Sequence, residues 1–144
     1  MERTKERKKL SYQNMFYSAQ RIDLLIISIC GAGIYVCLET IKYLTDNNQE
    51  VSMLIKISGG LFVMGIIINF ISQWSGYRAN EQDYLMCDAT IIAGNKINDD
   101  EQKKIDKYDK NSEHYSKWTN RLNISSMGIM FLALILIMVY FFTF

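Results

Sequence analysis

Asn69 and Gln73 stand one helical turn apart inside Ile57–Tyr77, a stretch without a charged residue. An amide side chain at such depth in an apolar segment is costly unless it is paired or wet. Ser58, Gly65, Asn69, Ser72 and Gly76 follow one another at steps of seven, four, three and four, so they share one helix face, and Gln73 lies one turn beyond Asn69. Leu61, Met64, Ile68 and Ile71 hold the other face. Two chemistries fit. Several copies of the helix would line an aqueous pore with the polar face, with Lys56 as a charge at its mouth. Alternatively the face would hydrogen-bond to neighbouring helices in a compact bundle, with Lys56 snorkelling to the interface.

A second group combines cations with rings. Arg78, Lys103, Lys104 and Lys107 accompany Tyr77, Tyr84 and Tyr108 in the polar middle of the chain. Cationic groups beside aromatic faces can hold a phosphate-bearing nucleotide by charge and stacking. Lysines interleaved with aspartates also make an ordinary solvated helix face. Covalent chemistry has no foothold, because no G-x-x-x-x-G-K-[ST], G-x-S-x-G, H-E-x-x-H or C-x-x-C pattern occurs. Asp99–Asp100 and Asp106–Asp109 stand at a helix start and on an exposed face, where carboxylates are ordinary. His114 has no Cys or His at ligand spacing, and Cys30, Cys37 and Cys87 are too scattered for a disulfide framework. The expectation is a protein without catalysis, metal or cofactor.

Apolar helices must position these groups. In 144 residues with net charge +1 there is room for one domain and no bulk attraction to a nucleic acid polymer. Residues 1–21 form a basic tail in which Tyr12, Met15, Phe16 and Ala19 make an amphipathic stripe suited to anionic lipid. Residues 22–44 are the first membrane span. Its stripe Ser28, Ala32, Tyr35 and Glu39 points to close helix packing, and Glu39 and Lys42, three apart on one face, can pair and snorkel at its far end. After an acidic turn at 45–50, the second span covers 51–77 and runs on into water, since the chain contains no proline to stop it.

Residues 78–121 read as an antiparallel helical hairpin. Gly94-Asn95 ends its first arm, and Asn98 with Glu101 makes a capping box for the second. Ile105, Tyr108, Ser112, Tyr115, Thr119 and Leu122 recur at steps of three and four, a heptad seam expected to pack on Tyr84, Leu85 and Ile91. Residues 122–144 are the third span, the most uniformly aliphatic and therefore expected to face lipid. The fold class expected is an all-α integral membrane protein with three transmembrane helices, a long cytoplasmic hairpin between spans 2 and 3, and an oligomeric assembly. Lys and Arg number six in the tail, none in the 45–50 turn and eight in 78–121. The positive-inside rule then places the chain in the plasma (inner) membrane as a multi-pass protein, N-terminus cytoplasmic and C-terminus exoplasmic.

The layout resembles a known family. Phe16-Tyr17-Ser18-Ala19-Gln20-Arg21-Ile22 leads into a first span, a short turn and a second span, and a helix leaves through Tyr77-Arg78-Ala79-Asn80. Over roughly residues 12–93 this is similar to the SLATT-type small membrane effectors of bacterial nucleotide-signalling antiviral systems, which usually end in cytosolic helices where this chain has a third span. The resemblance implies an oligomeric channel or membrane-disrupting effector, gated through the hairpin by a nucleotide signal or a cytoplasmic protein. The other function that fits is a non-conducting anchor, adaptor or immunity subunit whose hairpin docks a partner.

Overall fold

The computed structural model describes residues 2–93 and 98–143, with side chains from Gln20 onward apart from Ala93. The regular structure among these residues is helical: α1 (Glu2–Asp46), α2 (Met53–Ala93) and α3 (Asp99–Thr143). All three helices are long and apolar enough to cross a membrane. At the standard rise, their 45, 41 and 45 residues reach about 60–70 Å, roughly twice the hydrocarbon thickness of a bilayer.

The segment boundaries at residues 21, 77 and 121 each fall inside a continuous helix, and α2 runs on past residue 77 as its unbroken sequence predicts. Polarity changes at those points, but backbone hydrogen bonding does not depend on it, and no proline interrupts the ladder. The stripe Tyr12–Ala19 and the Gly94-Asn95 stop lie outside the described side chains and residues respectively.

Where helices do end, the caps are visible. Asn48 adopts φ 53°, a left-handed conformation that asparagine tolerates. Gln49 N–H then reaches Leu44 O at 2.8 Å and Asn48 N–H reaches Thr45 O at 3.1 Å, the Schellman pattern. Ser52 caps α2 by accepting from Leu54 N–H at 3.3 Å. At the start of α3, Glu101 Oε2 accepts from Asn98 N–H at 3.0 Å. The Asn98 side chain takes Asp99 N–H at 2.8 Å, so the capping box is completed on the glutamate side only.

The chain divides into two compact units, Met1–Ile66 with Ser126–Phe144, and Ile67–Ser125. In the first, all three helices share a core of Ile26, Cys30, Cys37, Ile55, Phe62, Met130, Ala133 and Ile137. Small residues let α1 and α2 come close. Cys30 Sγ sits 3.3 Å from where a β-carbon on Gly65 would be, and Cys37 Cβ sits 3.4 Å from that position on Gly59. The seam of α1 is therefore Ile26, Cys30, Gly33 and Cys37, all buried, whereas Ser28, Ala32, Tyr35 and Glu39 are exposed and the packing stripe expected there is corrected. The Cys–Gly–Cys spacing offers a flatter surface than one interrupted by Tyr35 and Glu39. The third helix is corrected too. Ser126, Met130, Ala133, Ile137 and Tyr140 of α3 are buried, and it is α1 that buries the smaller share of its span, 17% against 28%.

In the second unit α2 and α3 pack against each other. Ser72 contacts Thr119, Ser75 contacts Tyr115 and Ser112 contacts Ala79. The number on α3 falls as that on α2 rises, so the pair is antiparallel. Ile105, Tyr108, Ser112, Tyr115, Thr119 and Leu122 are each partly buried. Two of the three expected partners are corrected, since Tyr84 and Ile91 are 69% and 78% exposed, whereas Leu85 is partly buried. The α2 face that packs is instead Ser72, Ser75, Gly76, Ala79 and Gln82, with smaller residues that allow a closer approach.

Candidate functional site

The polar positions of α2 fall in both units. In the first, Ser58 is fully buried and its hydroxyl has no hydrogen-bond partner among the described residues. Gly65 is buried, and its carbonyl accepts from Ser126 Oγ at 3.1 Å. Lys56, one step from buried Ile55, is exposed.

In the second unit, Asn69 and Ser72 are fully buried while Gln73 is exposed. Gln73 Nε2 donates to Asn69 Oδ1 at 2.8 Å along the helix. Ser72 Oγ lies 2.9 Å from Thr119 O and 2.6 Å from the Asn123 side-chain amide. One hydroxyl has one proton, so it donates to one of these two α3 oxygens, Thr119 O or Asn123 Oδ1, at a time. Gly76 gives Thr119 its place, with Cγ2 of that threonine 3.4 Å from where a β-carbon would stand.

Serines form the recurring device. Ser75 donates to Tyr115 O at 3.2 Å and Ser112 donates back to Ala79 O at 3.1 Å. A hydroxyl reaching a backbone carbonyl of the facing helix needs closely approached backbones, and it satisfies both groups without water. Asn111 Nδ2 adds a longer contact to Gln82 Oε1 at 3.3 Å. Ser75 and Ser126 escape a reading centred on Asn69 and Gln73. The signal was present all the same, because Ser72, Ser75 and Ala79 are small residues at steps of three and four.

The cations and rings do not converge. Arg78 Nη1 is engaged by Glu81 Oε2 at 2.6 Å, and its guanidinium lies 5.6 Å from the centre of the Trp74 ring. Tyr108 is partly buried in the helix pair, whereas Lys103, Lys104, Lys107 and Tyr84 are exposed. Lys103 reaches Asp100 at 3.8 Å and Lys117 reaches Glu113 at 3.1 Å, both as exposed pairs along the helix. Among the described residues, no hydrogen bond or ion pair joins Arg78, Lys103, Lys104, Lys107, Tyr84 and Tyr108 to one another. Among the described residues, no three of His, Cys, Asp and Glu gather where they could hold a metal ion.

What the second unit does present is surface. Trp74, Tyr77 and Tyr84 are 59%, 65% and 69% exposed on α2, and Trp118 is 48% exposed on α3. Rings that keep one side dry and one polar group wet are enriched where helices meet other molecules. Comparison with protein-family models, with curated proteins and with solved structures gives no match.

Proposed function

We propose that this chain is a non-conducting, non-enzymatic membrane anchor whose α2–α3 hairpin docks other molecules. It sits in the plasma (inner) membrane as a multi-pass protein, N-terminus cytoplasmic and C-terminus exoplasmic, as the Lys and Arg asymmetry directs. One observation carries the choice over a channel: the polar face of α2 is spent inside the chain. Ser72 and Ser75 give their hydroxyls to α3, and Asn69 is fully buried. A conduit lined by that face would need those hydrogen bonds broken and the face turned to water. The hairpin meanwhile exposes aromatic and charged residues.

The test is reconstitution of the purified chain into liposomes loaded with an ion-sensitive dye. Flux indistinguishable from empty vesicles, with the protein shown to be inserted and helical, agrees with the anchor. Flux that scales with protein content would replace it with the channel.

A further inference from the structure

Two stripes on the second unit face away from its own packing seam. On α2, Phe70, Trp74, Tyr77, Glu81, Tyr84 and Asp88 follow at steps of four, three, four, three and four. That alternation keeps residues on one side of a helix. The buried Ser72, Ser75 and Ala79 lie on the opposite side, so the stripe is the back of α2. On α3, Lys103, Lys107, Lys110, His114, Lys117 and Arg121 follow at steps of four, three, four, three and four. All six are exposed, and the seam residues Tyr108, Ser112 and Tyr115 lie away from them. The back of α2 is aromatic and acidic. The back of α3 is a row of basic side chains.

Within one chain these backs look in opposite directions and cannot meet. Their heights nevertheless match. Thr119 is level with Ser72 and Ser112 with Ala79, so each step along α2 moves the level position one step back on α3. Carried along, this register sets Asp88 level with Lys103, Tyr84 with Lys107, and Glu81 with Lys110. It sets Tyr77 level with His114, Trp74 with Lys117, and Phe70 with Arg121. Asp88 then stands level with Lys103, and Glu81, which Arg78 already engages along α2, with Lys110, while Phe70, Trp74 and Tyr84 stand level with Arg121, Lys117 and Lys107, the pairing that ion pairs and cation–π contacts require.

Copies embedded in one membrane and related by rotation about its normal keep the same residues at the same height. We propose that hairpins of neighbouring copies pack side by side, the back of α2 in one against the back of α3 in the next. The contact is heterologous, each copy using both faces, so it closes into a ring or continues as a row. Exposed pairs such as Lys117–Glu113 and Lys103–Asp100 are weak and can exchange partners as copies meet. The proposal goes beyond the anchor reading and does not depend on it, since either a silent or a conducting protein could be built this way.

Cross-linking tests it in the full chain, in native membranes, with Cys87→Ser removing the exposed thiol. Chains carrying both Tyr84→Cys and Lys107→Cys should give, on mild oxidation, a ladder that runs past the dimer. Co-expressed single variants should give dimers only, and each single variant alone should give none. A dimer from Tyr84→Cys alone would mean a two-fold contact and would overturn the proposal, as would no cross-link at all. Charge exchange is the second arm. Asp88→Lys and Lys103→Asp should each lower the association constant in mild detergent about tenfold, a change of about 1.4 kcal/mol. The double variant should restore it. Singles without effect, or a double no better than the singles, would overturn the pairing. Retention by anionic but not zwitterionic vesicles, lost with Lys103→Asp and indifferent to Asp88→Lys, would assign the basic stripe to lipid instead.

Discussion

The ring of Phe62 occupies the space that a β-carbon on Gly33 would need, with three ring atoms within 2.8 Å of that position. Phe62 is fully buried, so the ring cannot swing out to solvent. The pairing is mutual along α1 and α2. Cys30 and Cys37 of α1 lie over Gly65 and Gly59 of α2, and Phe62 of α2 lies over Gly33 of α1. Each protruding side chain faces a missing one, which holds two apolar helices in register without polar contacts.

Gly33→Ala and Gly31→Ala should therefore move stability in opposite directions. A β-carbon on Gly31 meets nothing within 4 Å, and on Gly33 it meets the Phe62 ring. Alanine gains about 1 kcal/mol of helix propensity at either site. Overpacking at Gly33 costs about 1–3 kcal/mol, so a net loss is expected there and a gain at Gly31. Thermal unfolding in detergent reads the sign of each, and Phe62→Leu should relieve part of the Gly33→Ala loss.

Ser58 gives a prediction with the reverse intuition. Its hydroxyl is buried without a partner among the described residues, and an unsatisfied buried polar group costs about 1–3 kcal/mol. Ser58→Ala removes the hydroxyl and leaves a cavity smaller than a methyl group. The variant should melt higher than the parent. An unchanged or lower melting temperature would mean that the hydroxyl has a partner in the membrane-embedded protein.

Sequence periodicity carried much of the fold and less of the packing. Three long apolar helices followed from charge-free runs and the absence of proline. The α3 positions Ile105 to Leu122 were legible because steps of three and four put them on one side. The facing side of α2 was not, since size alone misleads: Tyr84 and Ile91 are large, yet the helices meet where Ser75, Gly76 and Ala79 permit approach. The α1 seam left a partial mark: Cys30 and Cys37, small thiols two turns apart in an apolar helix, fit plain packing, whereas the stripe from Ser28 is exposed. The polar face of α2 was visible from its spacing. That its serines bond to backbone carbonyls was not, because a carbonyl partner leaves no mark in the sequence.

The α3 start should respond unequally to its two capping residues. Glu101 holds Asn98 N–H, while the Asn98 side chain holds only the adjacent Asp99 N–H. Either alanine substitution should loosen the first turn, by about 1 kcal/mol for a lost cap. Glu101→Ala removes a carboxylate from the positive end of the helix as well, and its effect should shrink at high salt. Amide exchange at residues 99–103, measured at low and high ionic strength, distinguishes the two.

Asn69 and Gln73 decide between packing and conduction most directly. Asn69 is fully buried, and Gln73 Nε2 binds its Oδ1 from an exposed position. If the pair serves packing, Asn69→Leu forces a branched apolar group into a site shaped for an amide, and both stability and solubility in detergent should fall. Gln73→Leu leaves the buried amide in place and should cost less, on the order of 0.5 kcal/mol, the usual worth of a side-chain pair one turn apart on the same helix. The double variant should be no worse than Asn69→Leu, because the second change removes a donor whose acceptor has already gone. Ion flux from liposomes should be at background for the parent and for all three variants. A parent that conducts, together with a well-folded double variant that does not, would return these two residues to the wall of a pore.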